Sequence, residues 1–238
     1  MGFMWSGARV ILDEVAFSRG EHLLANGISI QLAGGDALAL VGPNGSGKTS
    51  LLRVLAGLAE PEDGTLTVSV DSAVDDVPRA ALVHLGGHQD GLKTQMTVRE
   101  NLAFWRSYFG VGEGASIACA LKALAIGHLI DLPVGVLSQG QKRRVALARL
   151  TISPRPIWLL DEPTAALDVA SSERFLNVVE EHRAQGGIVV AATHTLLDLD
   201  GLQTLDLSSY APQDFSDESG EGTRVRDAES YWLEGAHT

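Results

Sequence analysis

Gly42-Pro43-Asn44-Gly45-Ser46-Gly47-Lys48-Thr49 has the G-x-x-x-x-G-K-T spacing of a loop that cradles phosphates, and Ser50 follows it directly. Glycines at such spacing let backbone N–H groups turn inward around phosphate oxygens. A helix starting there adds the positive end of its dipole. Lys48 has the reach for β- and γ-phosphates, and the Thr49 hydroxyl suits a ligand of Mg²⁺. A second group stands at the end of Ile157-Trp158-Leu159-Leu160-Asp161-Glu162. Here an apolar strand delivers two carboxylates at its C-terminal end, where open α/β sheets bind ligands. Asp161 suits the metal's coordination sphere. Glu162, one position on, points differently and suits the general base for an attacking water. A third group is Leu137-Ser138-Gln139-Gly140-Gln141. Ser138-x-x-Gln141 has capping-box spacing, so Ser138 opens a helix whose free N–H groups, approachable at Gly140, form a second anion site. An ordinary helix start accounts for these residues equally well.

Buried strands must carry these groups. Ala37–Val41 reads as one, running straight into the Gly-rich loop, with a helix over Thr49–Gly57 after it. Short apolar runs at Ile157–Leu160 and Ile188–Ala192 read as parallel strands, with a helix near Ser171–Ala184 between them. Val10–Leu32 alternates loosely around Ser18-Arg19-Gly20 and predicts two strands at a sheet edge. Leu66, Val68 and Val70 predict a hairpin strand with one wet face. From Thr97 the period is helical. A capping box Thr97-x-x-Glu100 opens a helix carrying Val98, Leu102, Trp105 and Phe109; Ser116–Ile130 and Gln141–Ile152 predict two more, and Pro154 and Pro156 end the last. The pattern is an α/β, parallel-sheet core over residues 1–210 with an inserted helical block at about 90–150. Residues 211–238 hold seven acidic and two basic side chains and read as a mostly disordered acidic tail.

Composition narrows the function. The 238 residues are 45% hydrophobic and 20% charged, enough for a sizeable core. Lys and Arg number 18 against 30 Asp and Glu, a net charge of −12, which argues against a nucleic-acid-coating protein. The single cysteine, Cys119, excludes an internal disulfide and any CxxC site. No apolar run approaches the length needed to span a bilayer, and Arg9, Asp13 and Glu14 interrupt any signal-peptide core near the start. The expectation is a cytoplasmic protein that relies on another subunit for any membrane crossing.

Leu-Ser-Gln-Gly-Gln at 137–141, placed ahead of Asp161-Glu162-Pro163-Thr164 and Leu167-Asp168, closely resembles the signature, Walker B and D-loop segments of ATP-binding cassette (ABC) ATPases over about residues 10–208. The resemblance implies a P-loop NTPase with a RecA-like parallel-sheet core, an antiparallel β subdomain and an inserted helical subdomain. It implies ATP as ligand, with Mg²⁺. His194, 32 positions after Glu162, is similar to the switch histidine, and Gln89 resembles the Q-loop glutamine that links Mg²⁺ and the attacking water to the helical subdomain. Two cassettes would pair head to tail. Ser138, Gln139, Gly140 and Gln141 of one copy would then meet the ATP on the other's P-loop, and Asp168 would lie at the dimer contact. Binding would close the dimer, and hydrolysis by Glu162 with His194 would reopen it. Two positions depart from the family pattern: Gln139 stands where glycine is commonest, and Arg19 falls where many cassettes stack an aromatic ring on adenine. A guanidinium plane also stacks on bases, while strand alternation turns Phe17 to the core.

Finer resemblance lies in Ser18-Arg19-Gly20-Glu21, in Leu85 through Trp105, and in Gln139 through Leu150, which are similar to the ATPase subunits of cytochrome c maturation, the haem exporter family. It implies a peripheral subunit on the cytoplasmic face of the bacterial inner membrane. A separate integral-membrane subunit would dock on the aromatic stripe of the helical block. Direct haem binding is not expected, since His84 and His88 carry no axial or thiolate pattern. The cassette of another exporter would share every catalytic residue. A DNA-repair cassette needs a long coiled-coil insertion, a ribosome-associated one carries two cassettes, and a P-loop kinase lacks Ser138–Gln141 and His194.

Overall fold

The computed structural model describes residues 5, 7–71, 77–87, 89–110, 114–195, 197–212 and 226–227. In chain order, strands Arg9–Arg19 (β1), His22–Ala33 (β2) and Ala37–Val41 (β3) lead to helix Lys48–Leu55 (α1) and strand Asp63–Ser69 (β4). A four-residue helix, Arg79–Leu82 (α2), runs into Val83–Gly86 (β5). Three helices follow: Val98–Tyr108 (α3), Ile117–Ala123 (α4) and Gln139–Ile152 (α5). The chain returns through Ile157–Asp161 (β6), Val169–Ala184 (α6), Ile188–Ala192 (β7), Gln203–Asp206 (β8) and the short Arg226–Asp227 (β9).

Two sheets result. The larger has the order β5-β6-β7-β3-β8-β9, its first five strands parallel and β9 antiparallel to β8. Every residue of β3, β6 and β7 is buried, as strands covered on both faces must be. Their alternation splits the interior in two. Leu38, Leu40, Leu159 and Val190 pack with Phe17, Ile28, Leu51 and Leu52 on one side. Ala37, Trp158, Leu160 and Val189 pack with Leu102, Leu121, Val145, Phe175 and Val179 on the other. Each large side chain so buried contributes roughly 1.5–3 kcal/mol. Among the described residues no helix is long and apolar enough to cross a membrane.

The small sheet corrects one expectation. β1 does not lie at a sheet edge: it is the centre of a separate antiparallel sheet, β2-β1-β4, with β4 pairing to it rather than forming a local hairpin. The β1–β2 turn falls after Arg19, which still pairs with His22, and Gly20 supplies the left-handed residue at φ 62°. The Ser116–Ile130 segment is also shorter in helix than its composition suggests. Ala125 turns left-handed (φ 55°), and the N–H groups of Ala125 and Ile126 bond back to the Lys122 and Leu121 carbonyls in a Schellman-type stop. Only a 3-10 turn at Gly127–Leu129 follows. The acidic-tail expectation falls mostly outside the described residues; within it, β9 adds to the sheet beside β8.

Two histidines sit in the core. His182 stacks on Trp158, ring centroids 3.9 Å apart and planes 6° from parallel, and His84 packs edge-on against Phe109 with Nε2 3.1 Å from the Arg149 carbonyl. Burial pushes both imidazoles down from 6.5 to about 4. With folded values below the unfolded one, the unfolded chain takes up protons first. Stability is therefore full above the unfolded pKa and declines as pH falls from 6.5 toward 4. Complete titration would remove on the order of 3 kcal/mol per imidazole. The melting temperature should fall between about pH 7 and about pH 5, above the carboxylate range. His182→Phe, which keeps a ring on Trp158, should remove about half of that fall in thermal scans.

Candidate functional site

The central strand β3 hands the chain to the phosphate-type loop. Gly47 caps α1 without a side-chain hydrogen bond, which leaves first-turn N–H groups for a ligand. Glycine is required here twice over: its φ is 99°, and a Cβ would lie 3.0 Å from Cε2 of the buried Phe17. Lys48 is buried, and its Nζ donates to the Gly42 and Pro43 carbonyls at 2.7 and 3.0 Å. Burial lowers its pKa, against the opposing charges of Glu162, Asp161 and Asp206. Thr49 Oγ1 donates to Asp161 Oδ2 at 2.9 Å, joining the loop to the end of β6. Pro43, Asn44 and Gly45 form the exposed rim, Ser46 and Ser50 are half-buried, and Arg19 stands exposed at the end of β1.

Asp161 closes β6 as a buried carboxylate. Glu162 then turns left-handed at φ 48°, its N–H held by the Ala192 carbonyl at 2.8 Å. Its Oε1 reaches within 3.6 Å of His194 Nε2, the two side chains 22% and 49% exposed. Gln89 is exposed in the segment after β5, two strands from β7. The structure thus gathers Gly42–Ser50, Asp161, Glu162, His194 and Gln89 at the carboxyl ends of neighbouring strands. The chemistry available is phosphate capture by amides and a lysine, with a carboxylate beside a histidine to handle a proton. The Thr49 and Asp161 oxygens are the hard donors that Mg²⁺ takes when phosphates complete its shell. Among the described residues, no cluster of three or more His, Cys, Asp or Glu could hold a metal unaided.

The helix start at Ser138 stands apart. Ser138 caps α5 through a full capping box: its Oγ accepts from Gln141 N at 3.3 Å, and Gln141 Oε1 accepts from Ser138 N at 2.9 Å. Ser138 and Gln139 are exposed, and among the described residues no hydrogen bond or ion pair joins 138–141 to 42–50. Gly140 lies against the Ala166 carbonyl, which a Cβ would approach to 2.8 Å. Asp168 caps α6 by accepting from Ser171 N at 2.7 Å, and the Ser171 hydrogen bonds hold its carboxyl below the usual range. His84 belongs to the core, and His88 lies outside the described residues.

One residue escaped the sequence reading. Arg143 is buried between α5 and the strand ends. Its signal was legible: it shares a helix face with Leu147 and Leu150, four and seven positions on, where a cation needs a partner.

The ABC transporter family model matches residues 25–165. The cytochrome c biogenesis ATP-binding export protein CcmA of Rhizobium meliloti (strain 1021) is 45% identical over 205 residues, 85% of this chain and 99% of that protein. Its namesake from Rhodopseudomonas palustris (strain BisB5) is 49% identical over 181 residues, 76% of this chain and 89% of that one. Among solved structures, an ABC transporter ATP-binding protein from Pyrococcus furiosus shares the fold, with a TM-score of 0.72 at 23% identity, over 86% of this chain and 100% of its own. A bacterial Atm1-family ABC exporter with ATP bound gives a TM-score of 0.70 at 27% identity, over 87% of this chain and 38% of its own. The chain belongs to the ABC transporter family, as one of its ATP-binding ATPase subunits.

Proposed function

We propose that this ATPase drives a bacterial inner-membrane complex of cytochrome c biogenesis, the haem exporter system, from the cytoplasmic face of the membrane. The pathway reading is supported by relatives of that name matched over 89–100% of their length. The observation that carries the reaction is Glu162 Oε1 beside His194 Nε2 at 3.6 Å, next to the Thr49–Asp161 bond.

ATP would lie with its phosphates on the N–H groups of residues 42–50, and Lys48 would leave the Gly42 and Pro43 carbonyls for the phosphate oxygens. Thr49, Asp161 and Gln89 would hold Mg²⁺, which would supply neutralisation of phosphate charge. Glu162 takes the proton of the attacking water, and His194 orients that carboxylate and the γ-phosphate. Ser138, Gln139, Gly140 and Gln141 of a second copy close the site, with Asp168 at the contact. Arg19, exposed near the loop, supplies the plane on which adenine stacks, since Phe17 is committed to the core. A separate integral-membrane subunit docks on α3, where Phe104 and Tyr108 are 40% and 70% exposed and Lys93 sits 4.5 Å over the Phe104 ring. In this reading residues 1–210 are the cassette, about 90–150 its helical subdomain and 211–238 an acidic tail.

Glu162→Gln should lower kcat by roughly 10²–10⁴-fold, retain ATP binding and stabilise the closed dimer. Phosphate release and gel filtration with ATP read both effects, and undiminished turnover would remove the general base. In the native host, Lys48→Ala should abolish covalently bound haem in c-type cytochromes at normal protein levels. An unchanged haem signal would assign the ATPase to a different exporter.

A further inference from the structure

Arg143 has a set of partners that its place in a helix does not require. A guanidinium carries five N–H donors in a rigid fork, and here all five are taken. Nε donates to the Pro163 carbonyl at 3.3 Å. Nη2 donates to the Asp161 and Glu162 carbonyls at 2.8 and 2.7 Å. Nη1 donates to the Gly87 carbonyl and to Asp90 Oδ1, both at 3.1 Å. Its side chain is 9% exposed and that of Asp90 22%, so a buried cation meets a half-buried counter-ion. Among the described residues, the hydrogen bonds of the neighbouring Arg144 side chain go to the Gly140 and Leu124 carbonyls.

The geometry explains why one nitrogen can hold two successive carbonyls. Along a strand, carbonyls point alternately to opposite sides. The left-handed residue at Glu162 cancels that alternation and turns the carbonyls of 161 and 162 onto the same Nη2. On its other arm Arg143 holds Gly87 and Asp90, the residues that bracket Gln89. Its own backbone belongs to α5, the helix that Ser138 opens. Three segments therefore meet on one planar group.

We propose that Arg143 is a positioning residue, which locks the main chain beneath Glu162 to the Gln89 segment so that the aim of the Glu162 carboxylate follows the position of that segment. The proposal rests on the reading of Glu162 as general base. Lysine could not serve equally, since an ammonium offers three donors from one point in place of a fork. A displacement of the Gln89 segment pulls on the guanidinium, and Glu162 moves with it.

The test measures steady-state ATPase kinetics, ATP-analogue affinity and melting temperature for the full chain and its variants, well below the lowest melting point. Arg143→Gln should lower kcat by roughly a hundredfold while the KM for ATP stays within about threefold, because a small misplacement of a reacting group is enough for such a loss. Arg143→Lys should recover part of kcat. In a Glu162→Gln background, Arg143→Gln should lower single-turnover hydrolysis by less than about twofold, since the group it aims is already gone. Three results would overturn the proposal: an unchanged kcat with only a lowered melting temperature, a raised KM at normal kcat, or a full multiplicative loss in the Glu162→Gln background. Failure of the general-base reading would show separately, as normal turnover in Glu162→Gln alone.

Discussion

A parallel sheet has to be covered on both faces, and all its strands end on the same edge. Most of the architecture follows from this constraint. The phosphate loop leaves β3, the two carboxylates leave β6, His194 leaves β7 and Gln89 leaves the β5 connection. Because β5, β6, β7 and β3 are consecutive neighbours in the sheet, these four exits lie side by side. The Thr49–Asp161 hydrogen bond spans β7 to tie the first exit to the second. The inserted helices with α6 supply the cover for one face and the small β2-β1-β4 sheet with α1 supplies it for the other.

Electrostatics then decides what the edge can bind. Lys48 is buried among Asp161, Glu162 and Asp206, so the acidic groups facing it outnumber it. A polyphosphate is tolerated in that field because backbone amides of residues 42–50 and the α1 dipole face it.

The sequence was most informative where one local rule fixes one outcome. Strands β3, β6 and β7 showed as apolar runs, the Ser138 and Thr97 capping boxes formed as spaced, and Gly57 marked the end of α1. The placing of Glu162 beside His194 was reachable only through family likeness, because it depends on which strands are neighbours. Strands β5 and β8 gave little signal, being four residues each and partly covered. The stop at Ala125 was hidden for a related reason: nothing about an alanine announces a left-handed backbone. The spacing of Arg143 to Leu147 and Leu150 signalled burial but not its partners, which are mainly carbonyl oxygens that every residue carries alike.

The left-handed backbone of Glu162 also bears on how such a protein can change over generations. Valine or isoleucine at this position would be rejected by the main chain before the missing carboxylate mattered, whereas asparagine, aspartate and glycine tolerate the conformation. Random drift at this codon is thus sieved first by shape and only afterwards by chemistry. Aspartate passes the first sieve with its carboxylate one methylene short, and glycine passes it with none.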